Sequence, residues 1–117
     1  MKLAATERWS LQLEQWLKGH ELFTSALARV ELGRAIRRLP VVERGAAQIL
    51  RTVRLVAVDD VILSSAAMLD PPELRTLDAI HLATALSLGA DLDSFVTYDR
   101  QQGRAAGIAG LRVESPR

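Results

Sequence analysis

The fold of this chain is predicted chiefly by an alternation of strand-like and helix-like segments, separated by Gly and Pro. Four short segments have strand character, at 21–24, 55–58, 95–98 and 111–113. Segments with helical spacing of apolar residues lie at 9–19, 25–38, 42–53, 59–69 and 76–88, with one more before the last strand. Because strands that alternate with helices pair in parallel, the pattern predicts a three-layer α/β/α fold with a parallel sheet. A length of 117 residues leaves room for one domain, at 1–117.

Local signals set the ends of several predicted helices. Ser25 and Asp59 each precede an apolar helical pattern and are typical N-cap residues. Pro40 stops the second helix, and Gly89 follows the long apolar helix at 76–88. We therefore expect Ser25 to cap a helix rather than to act as a nucleophile.

The composition excludes several classes of protein. The chain contains no Cys, which excludes disulfide frameworks, zinc–thiolate sites and cysteine nucleophiles. No stretch approaches the ~18 apolar residues of a membrane span, and the first residues lack the pattern of a signal peptide. These features predict a cytoplasmic protein with no membrane partner.

Charge is distributed unevenly along the chain, although the formal net charge is only +1. Residues 29–54 contain seven Arg and two acidic residues, whereas residues 55–99 contain eight acidic residues and one Arg. The basic part suits contacts with phosphate groups, and the acidic part suits a hard divalent cation. The alternative is a set of solvated helix faces that neutralise each other.

Three acidic residues occupy positions that suggest a site. Asp99 directly follows the strand at 95–98, and α/β proteins place their sites at the carboxyl ends of parallel strands. Asp78 opens the apolar helix, and Glu31 lies inside the helix at 25–38. Each acid alone has a simpler interpretation: Asp78 would stabilise its helix N-terminus by ~0.3–1 kcal/mol, and Glu31 would face solvent.

The same residues lie in three segments that resemble the PIN-domain ribonucleases of the VapC toxin type. The segments are TSALARVE at 24–31, LDAIHLATA at 77–85 and FVTYD at 95–99, and they occur in the order of the family. The resemblance runs along essentially the whole chain. It implies a metal-dependent, single-strand-specific endoribonuclease that forms a homodimer and is made together with a VapB-type antitoxin.

In that family four acids hold the metal, and Glu31, Asp78 and Asp99 match the last three of them. Close carboxylates repel each other unless a cation neutralises them, and oxygen ligands favour Mg²⁺ or Mn²⁺ over zinc. We expect all three acids to line one metal site, with Asp78 and Asp99 as ligands and Glu31 orienting or deprotonating the attacking water. The cation would polarise a phosphate oxygen and activate that water.

The first acid of the family, at the end of a first central strand, has no counterpart here. The chain opens with Met1-Lys2-Leu3, which resembles the inside of the helix that follows that strand in the family. We therefore expect an N-terminally truncated fold with impaired activity, and hypothesise that translation starts upstream of Met1. The alternative function is a catalytically inactive PIN remnant that binds or sequesters an antitoxin.

Other polar residues have less specific assignments. We expect Arg29, Arg34 and Thr97 to bind the RNA substrate, the two arginines through its phosphate groups. The alternative for the arginines is contact with solvent or with the antitoxin. Alternatively, Thr97 hydrogen-bonds an acid at the edge of the sheet. His81, three residues after Asp78, is more simply a packed, hydrogen-bonded histidine than a ligand or a general base.

Overall fold

The computed structural model describes residues 19–38 and 53–115, together with Gln15 and Arg51. The helices predicted at 9–19 and 42–53 lie outside the described residues except at a few positions. The described strands and α-helices are, in chain order, β1 (Phe23–Ser25), α1 (Ala28–Arg38), β2 (Arg54–Val56), α2 (Asp60–Ala67), α3 (Thr76–Ser87), β3 (Phe95–Val96), α4 (Arg100–Ile108) and β4 (Val113–Glu114).

The strands pair in parallel, as the alternation of elements predicted. Strand β1 lies beside β2 with Thr24 opposite Leu55, and β3 lies beside β4 with Phe95 opposite Val113. Within the described residues these pairs form two separate two-stranded sheets rather than one continuous sheet. The parallel α/β class is therefore confirmed. The strands are short, since each ladder covers only two or three residues on each strand.

Helix α3 forms the centre of the core because it is apolar on nearly all sides. Every residue from Ala79 to Ala85 is buried, and the helix packs against α2, β1 and α4. Thr84 is accommodated in this run because its Oγ1 donates to the carbonyl of Ile80, at 2.7 Å. A helix held on all sides also fixes the residues of its first turn, where Asp78 lies.

The two predicted N-caps have different outcomes. Asp59 caps α2, since its Oδ1 accepts a hydrogen bond from the backbone N–H of Ile62 at 2.9 Å. The prediction for Ser25 was wrong, because Ser25 ends β1 and α1 begins only at Ala28. The Ser25 hydroxyl is buried and hydrogen-bonds His81 instead. None of the helices in the described part of the chain is long and apolar enough to cross a bilayer.

Candidate active site

Asp99 lies at the junction between β3 and α4 and is held there by hydrogen bonds. Its Oδ1 accepts from the backbone N–H of Gln102 at 2.8 Å, which caps α4. Its own backbone N–H donates to Thr97 Oγ1 at 3.1 Å. The carboxylate is therefore fixed just beyond the carboxyl end of β3, where the sequence placed it.

Asp78 lies in the first turn of α3, and Arg75 joins it to Asp99. Arg75 Nε donates to Asp78 Oδ2 at 3.1 Å, and Arg75 Nη2 donates to Asp99 Oδ2 at 3.0 Å. The side chains of Asp78 and Asp99 are only 14% and 19% exposed, whereas that of Arg75 is 67% exposed. Two nearly buried carboxylates thus point toward one cationic group on the surface.

This arrangement tests whether the residues present suit a metal ion. The positively charged guanidinium of Arg75 shows where one cation can contact both acids, since each carboxylate offers it an Oδ2 oxygen. Oxygen donors of this kind suit Mg²⁺ or Mn²⁺, and both acids lie at helix N-termini that also favour negative charge. Asp78 and Asp99 therefore fit a divalent cation.

Glu31 is not gathered into the same group. Among the residues that the structure describes, no set of three His, Asp or Glu side chains is arranged to hold a metal ion. Glu31 instead contacts His81 Nε2 through its Oε1. The histidine holds only one of the two carboxylate oxygens of Glu31, so the expectation that Glu31 shares one ion with Asp78 and Asp99 stays a prediction.

His81 connects Glu31 to the core and to α3. It is only 4% exposed, and its Nδ1 lies 2.8 Å from Ser25 Oγ while its Nε2 contacts Glu31. The interpretation of His81 as a packed, hydrogen-bonded residue is confirmed. His81 follows Asp78 by three residues, so the histidine that holds Glu31 lies about one helical turn from Asp78 along α3.

Gln102 is a supporting residue that the sequence reasoning missed. It is buried, and its Nε2 donates to the carbonyl of Asp78 at 3.4 Å while its Oε1 accepts from Thr97 Oγ1 at 2.7 Å. It therefore ties α3 to the end of β3. Its position three residues after the N-cap Asp99 matches the sequence pattern of a capping box, but its side chain bonds Thr97 and Asp78 instead of the backbone N–H of Asp99.

Thr97 supports the end of β3, and Arg75 had no predicted role. Thr97 is buried, and its hydroxyl donates to Gln102 Oε1 and accepts from the backbone N–H of Asp99, so its contact with substrate stays a prediction. Arg75 was missed, although it is the only Lys or Arg between residues 55 and 99. A lone cation three residues before Asp78 could have indicated an ion pair, since residues i and i+3 share a helix face.

The two predicted substrate arginines lie on different faces of α1. Both are exposed. Arg34 follows Glu31 by three residues and shares its face, whereas Arg29 precedes Glu31 by two residues and points elsewhere. Helix geometry therefore favours Arg34 over Arg29 as a neighbour of the site.

Comparison with known proteins agrees with this architecture. The family model described as the PIN domain matches residues 3–108. The chain belongs to the PIN-domain family. Family membership confirms the three-layer α/β/α fold, with Asp78 and Asp99 inside the matched region.

Individual relatives extend the match over nearly the full chain. Ribonuclease VapC46 of Mycobacterium tuberculosis (strain ATCC 25618 / H37Rv) is 43% identical over 118 residues, covering 99% of this chain and 91% of the relative. Ribonuclease VapC35 of the CDC 1551 / Oshkosh strain is 43% identical over 126 residues, covering 99% and 90%. Ribonuclease VapC47 of that strain is 33% identical over 122 residues, covering 98% and 90%. No solved structure matches the chain.

Proposed function

We propose that this PIN-domain protein is a metal-dependent, single-strand-specific endoribonuclease and the toxin of a VapBC-type toxin–antitoxin pair. The observation that carries the proposal is the convergence of Asp78 and Asp99 on one cationic group at the carboxyl end of β3. The relatives named ribonuclease VapC support the reaction and the RNA substrate. A VapB-type antitoxin and a homodimer are part of the same proposal.

Asp78 and Asp99 are the residues that would hold Mg²⁺ or Mn²⁺. When bound, the cation supplies positive charge that polarises a phosphate oxygen and lowers the pKa of a coordinated water. Gln102 and Thr97 keep Asp99 at the end of β3, so that the two carboxylates do not have to be ordered when the ion arrives. This preorganisation reduces the entropic cost of forming the site.

Glu31 has a different role in this proposal. His81 contacts Glu31 Oε1 through Nε2, and Ser25 hydrogen-bonds Nδ1 of the same ring. These buried contacts fix the orientation of the carboxylate. The one-turn spacing of His81 and Asp78 along α3 supports a role for the Glu31 carboxylate in orienting a water molecule and accepting its proton. Glu31 thus acts as the general base, while the two aspartates hold the ion.

The proposal is tested by cleavage of a randomised single-stranded RNA pool, since the sequence preference is set by pocket shape and not by these residues alone. Wild-type protein should cleave the pool with Mn²⁺ and should be inactive in EDTA. Asp99→Asn should reduce the rate about 100-fold or more, because a lost ligand removes several kcal/mol of transition-state stabilisation. Duplex RNA of the same composition should stay intact.

Asp59→Asn is the matched control for Asp99→Asn. Both aspartates cap a helix through Oδ1, at 2.9 Å and 2.8 Å, and Asn caps about as well as Asp. Asp59 is not one of the residues assigned to the metal ion, so its variant should cleave at the wild-type rate. Equal cleavage by Asp99→Asn and Asp59→Asn would contradict the proposed site, and an inert wild-type protein that binds antitoxin would favour the inactive alternative.

A further inference from the structure

We infer that Arg75 is a resident counter-cation of the active site, which occupies the position of the metal ion and must be displaced before the ion binds. The inference rests on the proposed function, because the ion concerned is the one that this function requires. It goes beyond that function by assigning to this chain its own competitor for the metal. Three features of Arg75 support the inference: the oxygens that it holds, the exposure of its side chain, and the charge that it neutralises.

The first step concerns the oxygen atoms that Arg75 holds. Asp99 uses Oδ1 to cap α4, and its Oδ2 accepts from Arg75 Nη2. Asp78 also presents Oδ2 to Arg75, through Nε. Arg75 therefore contacts one oxygen of each acid, and an ion placed between the two carboxylates would compete with it for Asp99 Oδ2, the oxygen that the helix cap leaves available.

The second step concerns the exposure of the guanidinium relative to the acids. The Arg75 side chain is 67% exposed, and Arg75 precedes α3 with an extended backbone and no side-chain cap hydrogen bond. Its guanidinium therefore reaches the two acids from the solvent side. The two carboxylates are held more firmly, because Asp78 lies in a buried helix and Asp99 is pinned by Gln102.

The third step concerns charge. Two nearly buried carboxylates repel each other at close range, and one guanidinium lowers their combined charge to −1. Arg75 thus stabilises the metal-free site, and the same contact lowers the affinity for an incoming cation. Competition between a tethered cation and a free one sets the metal concentration at which the site loads.

The inference is tested by titrating the purified full chain with Mn²⁺ in an isothermal calorimeter. Arg75→Gln should bind Mn²⁺ about tenfold more tightly than wild type, because no tethered charge has to be displaced. In EDTA its melting temperature should fall, and the rise on adding Mn²⁺ should be larger than for wild type. Arg75→Lys keeps the charge but has one nitrogen for two carboxylates, so its affinity should lie between the two.

Arg112→Gln is the matched control. Arg112 pairs with Glu114 at 3.0 Å and is 77% exposed, so its variant removes a comparable ion pair outside the site. It should bind Mn²⁺ as wild type does. Unchanged or weaker binding by Arg75→Gln, with wild type binding normally, would overturn the inference and leave the proposed function standing. Tighter binding without RNA cleavage would support the inference and contradict the proposed function, and absence of Mn²⁺ binding in all variants would overturn both.

Discussion

Two neighbouring hydroxyls at the end of β1 show how much a single buried polar atom matters. Thr24 and Ser25 are both buried, at 3% and 0% exposure. Ser25 Oγ is hydrogen-bonded to His81 Nδ1. Thr24 Oγ1 is the buried side-chain oxygen without a hydrogen-bond partner among the residues that the structure describes. An unpaired buried hydroxyl costs free energy that a paired one does not.

The two sites should therefore respond to removal of the hydroxyl with opposite signs. Thr24→Val replaces an unpaired hydroxyl with a methyl group in a strand, and should raise the free energy of unfolding by about 1 kcal/mol. Ser25→Ala leaves His81 Nδ1 without its partner and should lower it by about 1–3 kcal/mol. Urea unfolding followed by circular dichroism measures both. A loss of stability in Thr24→Val comparable to that in Ser25→Ala would contradict the prediction.

At the level of single residues, the sequence predicted positions better than partners. Asp99 was placed at the end of its strand and Asp78 in the first turn of its helix, because local patterns determine both. The contact of Glu31 with His81 joins residues 50 positions apart, and that of Arg75 with Asp99 joins residues 24 apart. No local pattern carries such a pairing, because tertiary packing decides which side chains meet.

At the level of elements, two glycines lie in opposite backbone situations. Gly33 lies within α1 and is exposed, and a Cβ added there would meet nothing within 4 Å. Gly89 follows α3 with a φ of +57°, in the left-handed region that a side chain disfavours. The first glycine weakens its helix, and the second allows the chain to leave α3.

Alanine substitutions should separate these situations. Gly33→Ala should stabilise the protein by about 0.5–1 kcal/mol, because Ala loses less backbone entropy in a helix. Gly89→Ala should destabilise it by about 1–2 kcal/mol, because the Cβ disfavours the left-handed conformation. The midpoints of thermal unfolding of the two variants and the wild type provide the test. Equal shifts of the same sign would show that the conformation at Gly89 does not require glycine.

The sequence also predicted most described elements because their end signals are local. The Asp59 cap, the long apolar helix and the glycine after it all lie close to their predicted positions. Ser25 misled the prediction because the same residue type serves as an N-cap and as a buried hydrogen-bond partner. The structure resolved that choice through the burial of the hydroxyl against His81.

For the molecule as a whole, the acidic and basic parts of the chain supply different components of the proposed site. The acidic part of the chain supplies Asp78 and Asp99, and the basic part supplies α1 with exposed arginines beside Glu31. The proposed substrate is a polyanion, so the basic part of the chain would attract the RNA, whereas the acidic residues would bind the cation. The sequence showed the asymmetry but not which arginine faces the site, because that depends on the register of α1.

This register predicts a difference between Arg34 and Arg29 in RNA binding. Arg34 shares the face of Glu31 and Arg29 does not, so Arg34→Gln should weaken the binding of single-stranded RNA and Arg29→Gln should not. The slope of log affinity against log salt should become shallower by about 0.7 for Arg34→Gln, which is the contribution of one phosphate contact to a single strand. Fluorescence anisotropy in the Asp99→Asn background measures binding without cleavage. Equal slope changes in both variants would mean that the strand is attracted by the net charge of α1 rather than by the face that carries Glu31.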